Sequence, residues 1–301
     1  MSAMILYPVI MLGAVAGIAA ILLFLAAKKF HVEEDPRIDK VAELLPGANC
    51  GGCGYPGCRG LAEALVKAAD KGDLSGLSCP PGGSAAMKAI GDALGLAVAE
   101  TEPMVAVLRC GGTHEKAPRT LTYDGAQKCV IAHTVFVGEK GCPNGCLGFG
   151  DCVTVCAFGA MYMDEKTGLP VIDPAKCVAC GACVKACPRK IIEMRPKGRK
   201  DRRVWINCVN TEKGAAAMKY CKAACIGCGK CVKECPEKVQ AITLVNNLAY
   251  IDPKKCIACG KCVLVCPTKA ILATFEPPKP KPVEAPAPAP AAEAPKQANV
   301  A

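Results

Sequence analysis

Cysteine supplies most of the chemistry that this 301-residue chain can do, because 24 of its residues are cysteine. Residues 225–236 have the pattern Cys-x2-Cys-x2-Cys-x3-Cys-Pro, and residues 256–267 repeat it. The two-residue spacing turns the backbone tightly enough for three thiolates to face three irons, while nearby N–H groups can hydrogen-bond the inorganic sulfides. These two runs therefore predict [4Fe-4S] clusters.

The doubled pattern also predicts which thiolates share a cluster. In bacterial ferredoxins with two clusters, the first three cysteines of each run bind one cluster and the fourth binds the other. Paired zinc sites also use Cys-x2-Cys spacing, but they require neither the three-plus-one arrangement nor the Cys-Pro endings. We therefore expect one cluster on Cys225, Cys228, Cys231 and Cys266, and a second on Cys256, Cys259, Cys262 and Cys235.

The middle of the chain is an internal duplication. A shift of 79 residues places nine cysteines of residues 129–187 on nine cysteines of residues 208–266 without a gap. The flanks agree, since residues 172–174 and residues 251–253 both read Ile-Asp-Pro. We therefore expect the two copies to share a fold.

The upstream copy keeps one cysteine run and changes the other. Its second run is intact and predicts a cluster on Cys177, Cys180, Cys183 and Cys156. In the first run Phe149 occupies the position of Cys228, so one ligand is missing. Cys142 can replace it. The expected ligands of that cluster are therefore Cys142, Cys146, Cys152 and Cys187.

Eight cysteines lie outside these runs. Four of them surround a glycine-rich loop, residues 51–57, and predict one more cluster with zinc as the alternative: Cys50, Cys53, Cys58 and Cys79. The other four either bind a sixth cluster between the two ferredoxin units or are buried small hydrophobes: Cys110, Cys129, Cys208 and Cys221.

The charge balance excludes a nucleic-acid partner. The formal net charge of +10 counts every cysteine as neutral. Four cysteinates around a 2+ cluster core make about −2 per site, so six clusters bring the total to about −2. The basic composition is thus a property of the chain without its metal.

The N-terminal residues must anchor these sites to a membrane. Residues 4–27 form an apolar run without a charged side chain, long enough at about 1.5 Å per residue to cross a core of roughly 30 Å. Lys28 and Lys29 follow directly, which predicts a single pass through a bacterial or archaeal cell membrane with the downstream bulk in the cytoplasm. A cleaved signal peptide is the alternative, but no basic segment precedes the run.

We expect an α+β protein with helices at residues 59–71 and 84–99 and strands at residues 104–108 and 130–137. A polar connector should cover residues 31–40, and the Pro/Ala-rich end should be a disordered tail. The expected domains are an anchor at 1–30, a one-cluster domain at 31–100, ferredoxin-like units at 140–192 and 223–275, connectors at 101–139 and 193–222, and the tail at 276–301.

Anchor, one-cluster domain and ferredoxin units together resemble the B-type subunit of the Rnf-type ion-translocating ferredoxin:NAD oxidoreductase, in a long form with extra ferredoxin units. The resemblance covers residues 1–275. It implies a membrane complex in which this subunit accepts electrons from soluble ferredoxin. It further implies integral and peripheral partner subunits that carry flavin, the NAD site, further iron–sulfur centres and the ion path.

Several nucleotide-binding and metalloprotease motifs are missing from the sequence, which also indicates that partner subunits carry the other cofactor sites. The sequence has no GxGxxG after a strand, no GxxxxGK[ST] and no HExxH, so nicotinamide and flavin sites should lie on other chains. We expect electron transfer without substrate chemistry on this chain, and no ligand role for His31, His114 or His133. The alternatives are an electron-transfer subunit of a membrane hydrogenase or formate dehydrogenase, and a zinc-stabilised membrane scaffold.

Overall fold

The structure is a computed structural model that describes residues 3–29, 35–98 and 102–278. The chain divides into an N-terminal region, residues 1–99, and a C-terminal region, residues 100–301. His31 and nearly all of the expected tail, residues 279–301, lie outside the described residues.

The N-terminal apolar segment is one helix, α1 (Ala3–Lys29). Its window Val9–Lys29 has a mean hydropathy of 2.8 over 21 residues. The only charged residues of α1 are Lys28 and Lys29, in the last turn. At about 1.5 Å per residue the helix is long enough to cross a bilayer, which confirms the expected apolar helix.

Three helices build the rest of the N-terminal region: α2 (Pro36–Leu44), α3 (Gly57–Ala69) and α4 (Gly83–Leu94). Helix α2 begins inside the expected polar connector, because the Asp35 carboxylate accepts the Arg37 N–H at 2.8 Å and Pro36 occupies the first turn. Helix α4 ends at Leu94 rather than Ala99, because Gly95 adopts the left-handed conformation with φ 73°.

Two similar halves form the C-terminal region, which mixes short helices and strands as expected. The first repeat contains β1 (Met104–Leu108), α5 (Cys129–Val135), α6 (Asp151–Thr154), β2 (Met161–Asp164), β3 (Leu169–Ile172), α7 (Ala182–Ala186) and β4 (Ile192–Pro196). The second repeat contains β5 (Val204–Ile206), α8 (Gly214–Tyr220), α9 (Lys230–Glu234), β6 (Ile242–Val245), β7 (Leu248–Ile251), α10 (Lys261–Leu264) and β8 (Ile271–Ala273).

Each repeat is closed by pairing its first strand with its last. Strand β1 pairs antiparallel with β4, and β5 pairs antiparallel with β8. The hairpins β2–β3 and β6–β7 lie between them in sequence. Residues 101–139 and 193–222, expected to be connectors, thus contribute strands to the repeats, since the closing partners are far apart in sequence.

The expected strand at residues 130–137 is wrong, because residues 129–135 form helix α5. A short β-branched run cannot be assigned to strand or helix by composition alone. Here the Asp151 carboxylate accepts the Val130 N–H at 3.1 Å, which satisfies one of the unpaired N–H groups of the first helical turn. The expected strand at residues 104–108 is confirmed as β1.

A buried polar group joins the two repeats, and we call its four residues Arg109, Glu193, Arg195 and Tyr250 the inter-repeat clamp. The Arg195 side chain donates to the Ile251 carbonyl at 2.9 Å and to the Val204 carbonyl at 3.2 Å. Glu193 lies 3.3 Å from each arginine and accepts the Tyr250 hydroxyl at 2.7 Å. The clamp therefore ties β4 of the first repeat to β5 and β7 of the second.

Candidate metal centres

Four loops of the C-terminal region share one backbone pattern around their cysteines. The third residue of each loop has a left-handed backbone, and a left-handed glycine precedes the short helix that follows. At Gly227, with φ 66°, a Cβ would lie 2.7 Å from the Asn247 carbonyl oxygen, so only glycine fits there. The paired positions are Gly148 and Gly150, Ala179 and Gly181, Gly227 and Gly229, and Ala258 and Gly260.

The second repeat brings its eight cysteines close together in two groups. One cavity is lined by Cys225, Cys228, Cys231 and Cys266. The Ala270 N–H donates to the Cys266 sulfur at 3.3 Å. Around Cys262, burial raises the thiol pKa to about 12, and the nearby Cys256 and Cys259 raise it further. Cys235 lies close enough to Cys256 to raise the pKa of its thiol as well.

The first repeat gathers four of its cysteines in one cavity. This cavity is lined by Cys156, Cys177, Cys180 and Cys183. Its other walls are apolar and include Met161, Ile172 and Met194. Burial raises the pKa of the Cys183 thiol to about 11.

The other site of the first repeat differs from the expected grouping. Its cavity is lined by Cys129, Cys146, Cys152 and Cys187, and Cys142 is not among the lining residues. Cys129 is the first residue of α5, which the Asp151 carboxylate holds beside α6. Cys129, rather than Cys142, therefore occupies the place left open by Phe149.

Aromatic rings cover the Phe149 position. The Tyr123 ring stacks on Phe136 at a centroid distance of 5.2 Å and lies 5.6 Å from the Phe149 ring. Phe136 directly follows α5, so the aromatic contact supports the helix that presents Cys129. The first repeat thus keeps the loop but has an apolar contact at the position where the second repeat carries the Cys228 thiol.

A fourth cavity is bounded by both repeats, and we call it the inter-repeat cavity. Cys142 lies here, together with three of the four cysteines left over from the sequence patterns. The fourth leftover cysteine, Cys129, lies in the cavity with Cys152 and Cys187 instead. The cysteines that line only the inter-repeat cavity are Cys110, Cys142, Cys208 and Cys221.

The N-terminal region gathers its own four cysteines. Burial raises the pKa of the Cys79 thiol, and Cys58, Cys53 and Cys50 lie close enough to raise it further. The Asn49 side-chain oxygen accepts the Cys58 N–H at 2.8 Å, which fixes the start of α3 beside the glycine-rich loop. The structure therefore brings these four cysteines together.

The donor sets suit a cluster of several atoms. All 24 cysteines are free thiols. Within the described ranges, no three His, Cys, Asp or Glu side chains are close enough to hold a single metal ion. Burial raises the pKa of the Cys152 thiol to about 12, so its proton must be displaced when metal binds.

Sequence patterns carried no signal for two cations beside the thiols, one buried and one half-buried. Lys140 is 8% exposed and donates to the Gly112 carbonyl at 2.6 Å. Arg189 donates to the carbonyls of Cys142 at 2.9 Å and Gly145 at 2.7 Å, and burial lowers the pKa of its guanidinium. Lys140 precedes Cys142 and Arg189 follows Cys187, but the burial of each side chain depends on contacts with residues distant in sequence.

Comparison with protein families finds iron–sulfur families in the regions that contain the grouped cysteines. A family described as a 4Fe-4S dicluster domain matches residues 141–191 and 176–239, and a second of the same description matches residues 224–271. A family of Fe-S cluster domains matches residues 45–73.

Curated relatives cover most of the chain. The B-type subunit of the Na(+)-translocating ferredoxin:NAD(+) oxidoreductase complex of Acetobacterium woodii is 45% identical over 83% of this chain and 72% of its own length. Its counterpart in the proton-translocating ferredoxin:NAD(+) oxidoreductase complex of Clostridium ljungdahlii is 42% identical over 83% of this chain and 84% of its own length. The counterpart in the ion-translocating oxidoreductase complex of Methanosarcina acetivorans is 41% identical over 60% of this chain and 66% of its own length.

Four findings indicate the same family: the sequence identity to these relatives, the matched iron–sulfur domains, the apolar helix α1 and the grouped cysteines. The chain therefore belongs to the family of B-type subunits of the Rnf-type ion-translocating ferredoxin:NAD oxidoreductase, and it is a membrane-anchored iron–sulfur electron-transfer subunit of such a complex.

Proposed function

We propose that this subunit accepts single electrons from a soluble ferredoxin and passes them to partner subunits that carry flavin, the NAD site and the ion path. The observation that carries the proposal is the gathering of cysteines distant in sequence around shared cavities. Cys187, for example, lines the same cavity as Cys129 and Cys152. Substrate chemistry is left to the partners.

The chain carries six [4Fe-4S] clusters in this proposal, with four cysteines each, in a one-cluster N-terminal domain and two ferredoxin-like units. The sulfur positions support a changed grouping in the first unit. The ligand sets are Cys50, Cys53, Cys58 and Cys79; Cys129, Cys146, Cys152 and Cys187; Cys156, Cys177, Cys180 and Cys183; Cys225, Cys228, Cys231 and Cys266; Cys235, Cys256, Cys259 and Cys262; and Cys110, Cys142, Cys208 and Cys221.

Metal analysis of anaerobically purified protein tests this assignment directly. Six clusters of four irons and four sulfides require about 24 of each per chain. We expect that ratio, together with broad visible absorption that bleaches on reduction with dithionite. Stoichiometric zinc without acid-labile sulfide would instead indicate the zinc-stabilised scaffold and contradict the electron-transfer proposal.

The second repeat offers a surface for the electron donor. Cys228 is the one exposed cysteine of the 24. Lys230 and Leu244 line the same cavity and are exposed beside it. An exposed thiolate shortens the distance to a docked donor, and a lysine favours an acidic one. We assign ferredoxin docking to this face, with electrons leaving through the N-terminal cluster toward the integral subunits on the cytoplasmic side.

Charge reversal at Lys230 tests the docking face. In Lys230→Glu we expect the apparent KM for reduced ferredoxin to rise about 3- to 10-fold at low ionic strength, because association of oppositely charged surfaces is steered electrostatically. The difference should shrink with added salt. Lys88→Glu, at another exposed lysine, on α4, is the control and should leave the KM unchanged. Equal KM values for the two variants would assign docking elsewhere.

A further inference from the structure

We propose that the segment after β8, residues 274–278, is a fixed cover that keeps water away from one cysteine loop of the second repeat, residues 256–262. We call this segment the C-terminal cover. The equivalent loop of the first repeat, residues 177–183, stays open. The inference rests on the cluster sites assigned to these loops above, and it concerns residues that bind no cluster themselves.

The two loops have the same backbone at the glycine that precedes the short helix, but different surroundings. Gly181 has φ 76° and ψ 1°, and Gly260, at the offset of 79 residues, has φ 79° and ψ −2°. A Cβ at Gly181 would meet no atom of the described residues within 4 Å. At Gly260 a Cβ would lie 3.0 Å from the Phe275 ring, 3.2 Å from the Pro278 ring and 3.3 Å from the Pro277 Cα. Gly260 is accordingly buried, whereas Gly181 is half-buried.

The difference arises where the two repeats end their closing strands. In the first repeat β4 continues to Pro196, which still pairs with Met104. In the second repeat β8 ends at Ala273, which pairs with Val204, and the chain then passes over the cysteine loop. Phe275 is the residue 79 positions after Pro196. Strand pairing in the first repeat therefore uses the position from which the second repeat builds its cover.

Hydrogen bonds fix the point at which the C-terminal cover leaves the strand. The Thr274 N–H donates to the Arg203 carbonyl at 3.1 Å, and the Thr274 hydroxyl accepts the Arg203 N–H at 2.9 Å. The same hydroxyl donates to the Asp201 carbonyl at 2.7 Å. Both the backbone and the side chain of Thr274 are therefore bound to the chain before β5.

Arg202 and two prolines hold the rest of the cover in place. The Arg202 guanidinium carbon lies 3.9 Å from the centre of the Phe275 ring, which is a close cation–π contact. Phe275 is partly buried against the core of the second repeat, which includes Cys262. Pro277 and Pro278 follow, and each proline ring restricts its own φ. The cover is therefore a stiff segment that rests on the loop.

Exclusion of water has a consequence for reduction at this loop. Reduction adds a negative charge to a site that already has four thiolate ligands, and hydration stabilises the more negative form. A cluster shielded from water therefore has a lower midpoint potential than an exposed one. The C-terminal cover would thus give the covered site a more negative potential than it would have in an open loop.

The second repeat has an open loop as well as the covered one. At Gly229, next to the exposed Cys228, a Cβ would have only the Leu244 side chain within 4 Å among the described residues, at 3.9 Å. The cover therefore leaves the Cys228 loop as the accessible one of the two, so an external redox partner would exchange electrons with the second repeat there.

Removal of the Phe275 ring tests the C-terminal cover in anaerobic, cluster-loaded protein. In Phe275→Ala we expect the midpoint potential of one EPR-detected cluster to become less negative, and Phe275→Tyr should keep the wild-type value. A chelator should also remove about one sixth of the iron about tenfold faster than from wild type. Tyr162→Ala, which removes a 56% exposed aromatic ring on β2, is the control and should change neither quantity. If either quantity stayed at its wild-type value in Phe275→Ala, the proposal would be overturned.

A matched pair of glycine variants guards against a loss of folding in Phe275→Ala. Gly260→Ala and Gly181→Ala add the same methyl group to the same left-handed backbone, so their local strain is alike. Only the methyl group at position 260 meets the C-terminal cover and must displace it. We expect faster iron release and a less negative potential in Gly260→Ala alone. Equal effects in the two variants would contradict the cover.

Metal release also separates this proposal from the proposed function. Wild-type protein with zinc and no sulfide would refute the proposed function, while the rate of zinc release from Gly260→Ala and Gly181→Ala would still decide whether the cover exists. About 24 irons per chain, released at the same rate from wild type and Phe275→Ala, would refute the cover alone.

Discussion

Replacing Arg195 by methionine is expected to lower the free energy of unfolding by about 3–5 kcal/mol, the usual cost of removing one partner from a buried ion pair. Arg195 is 1% exposed, so no water can take over its hydrogen bonds. Its loss leaves the Val204 and Ile251 carbonyls without their guanidinium donor and removes one of the two cations beside Glu193. Chemical denaturation of anaerobic, cluster-loaded protein, followed by circular dichroism, measures the change.

Arg119→Met is the matched control for that measurement. Arg119 also pairs with a glutamate, Glu139 at 3.0 Å, but the arginine side chain is 61% exposed. Exposed pairs contribute about 0–1 kcal/mol, so the control should unfold almost as wild type. If the free energy of unfolding fell by a similar amount in the two variants, burial of the inter-repeat clamp would add nothing to stability.

The clamp matters for electron transfer because it fixes one repeat against the other. Tyr250 from the second repeat lies beneath both arginines, at 5.1 Å from Arg109 and 5.4 Å from Arg195. Trp205 adds a hydrogen bond from its indole N–H to the Leu108 carbonyl at 2.9 Å. Electron transfer slows steeply with distance, so a rigid joint between the repeats keeps the separation of their cysteine sites constant.

The predicted cysteine groups of the second repeat depend on local patterns alone. Three ligands of each group lie within seven residues, and the crossing fourth cysteine follows from the doubled motif. Cys266 accordingly lines the cavity of Cys225, and Cys235 lies near Cys256. The same reasoning located the β1 strand, the amphipathic helices α3 and α4 and the apolar helix α1.

The first repeat could not be resolved in this way, because the duplication is not uniform. A constant offset aligns Cys129 with Cys208, yet the strand register makes Cys110 the counterpart of Cys208. The first repeat therefore contains extra residues between β1 and its first ferredoxin motif, and α5 lies among them. Only the three-dimensional pairing of β1 with β4 shows which cysteine is equivalent to which.

Cys129 and Cys142 line different cavities from those that the sequence spacing predicts. Whether the iron losses of single variants add up in double variants tests this placement. If Cys129 and Cys187 bind the same cluster, Cys129→Ala and Cys187→Ala should each remove about four irons, and the double variant should also remove about four. Cys142 lines a different cavity, so combining Cys142→Ala with Cys187→Ala should remove about eight. Iron and sulfide analysis of anaerobically purified variants provides the measurement.

The opposite result would support the grouping expected from sequence spacing. In that case the iron losses would add up for Cys129 with Cys187 and would not add up for Cys142 with Cys187. Each double variant removes Cys187 and one other partly buried cysteine. A general loss of folding would therefore lower the iron content of both double variants, and it would not produce a difference between them. Cys142 and Cys129 are both partly buried, and burial raises the pKa of each thiol. The two cysteines are thus similarly buried, and the comparison tests which cavity each of them belongs to.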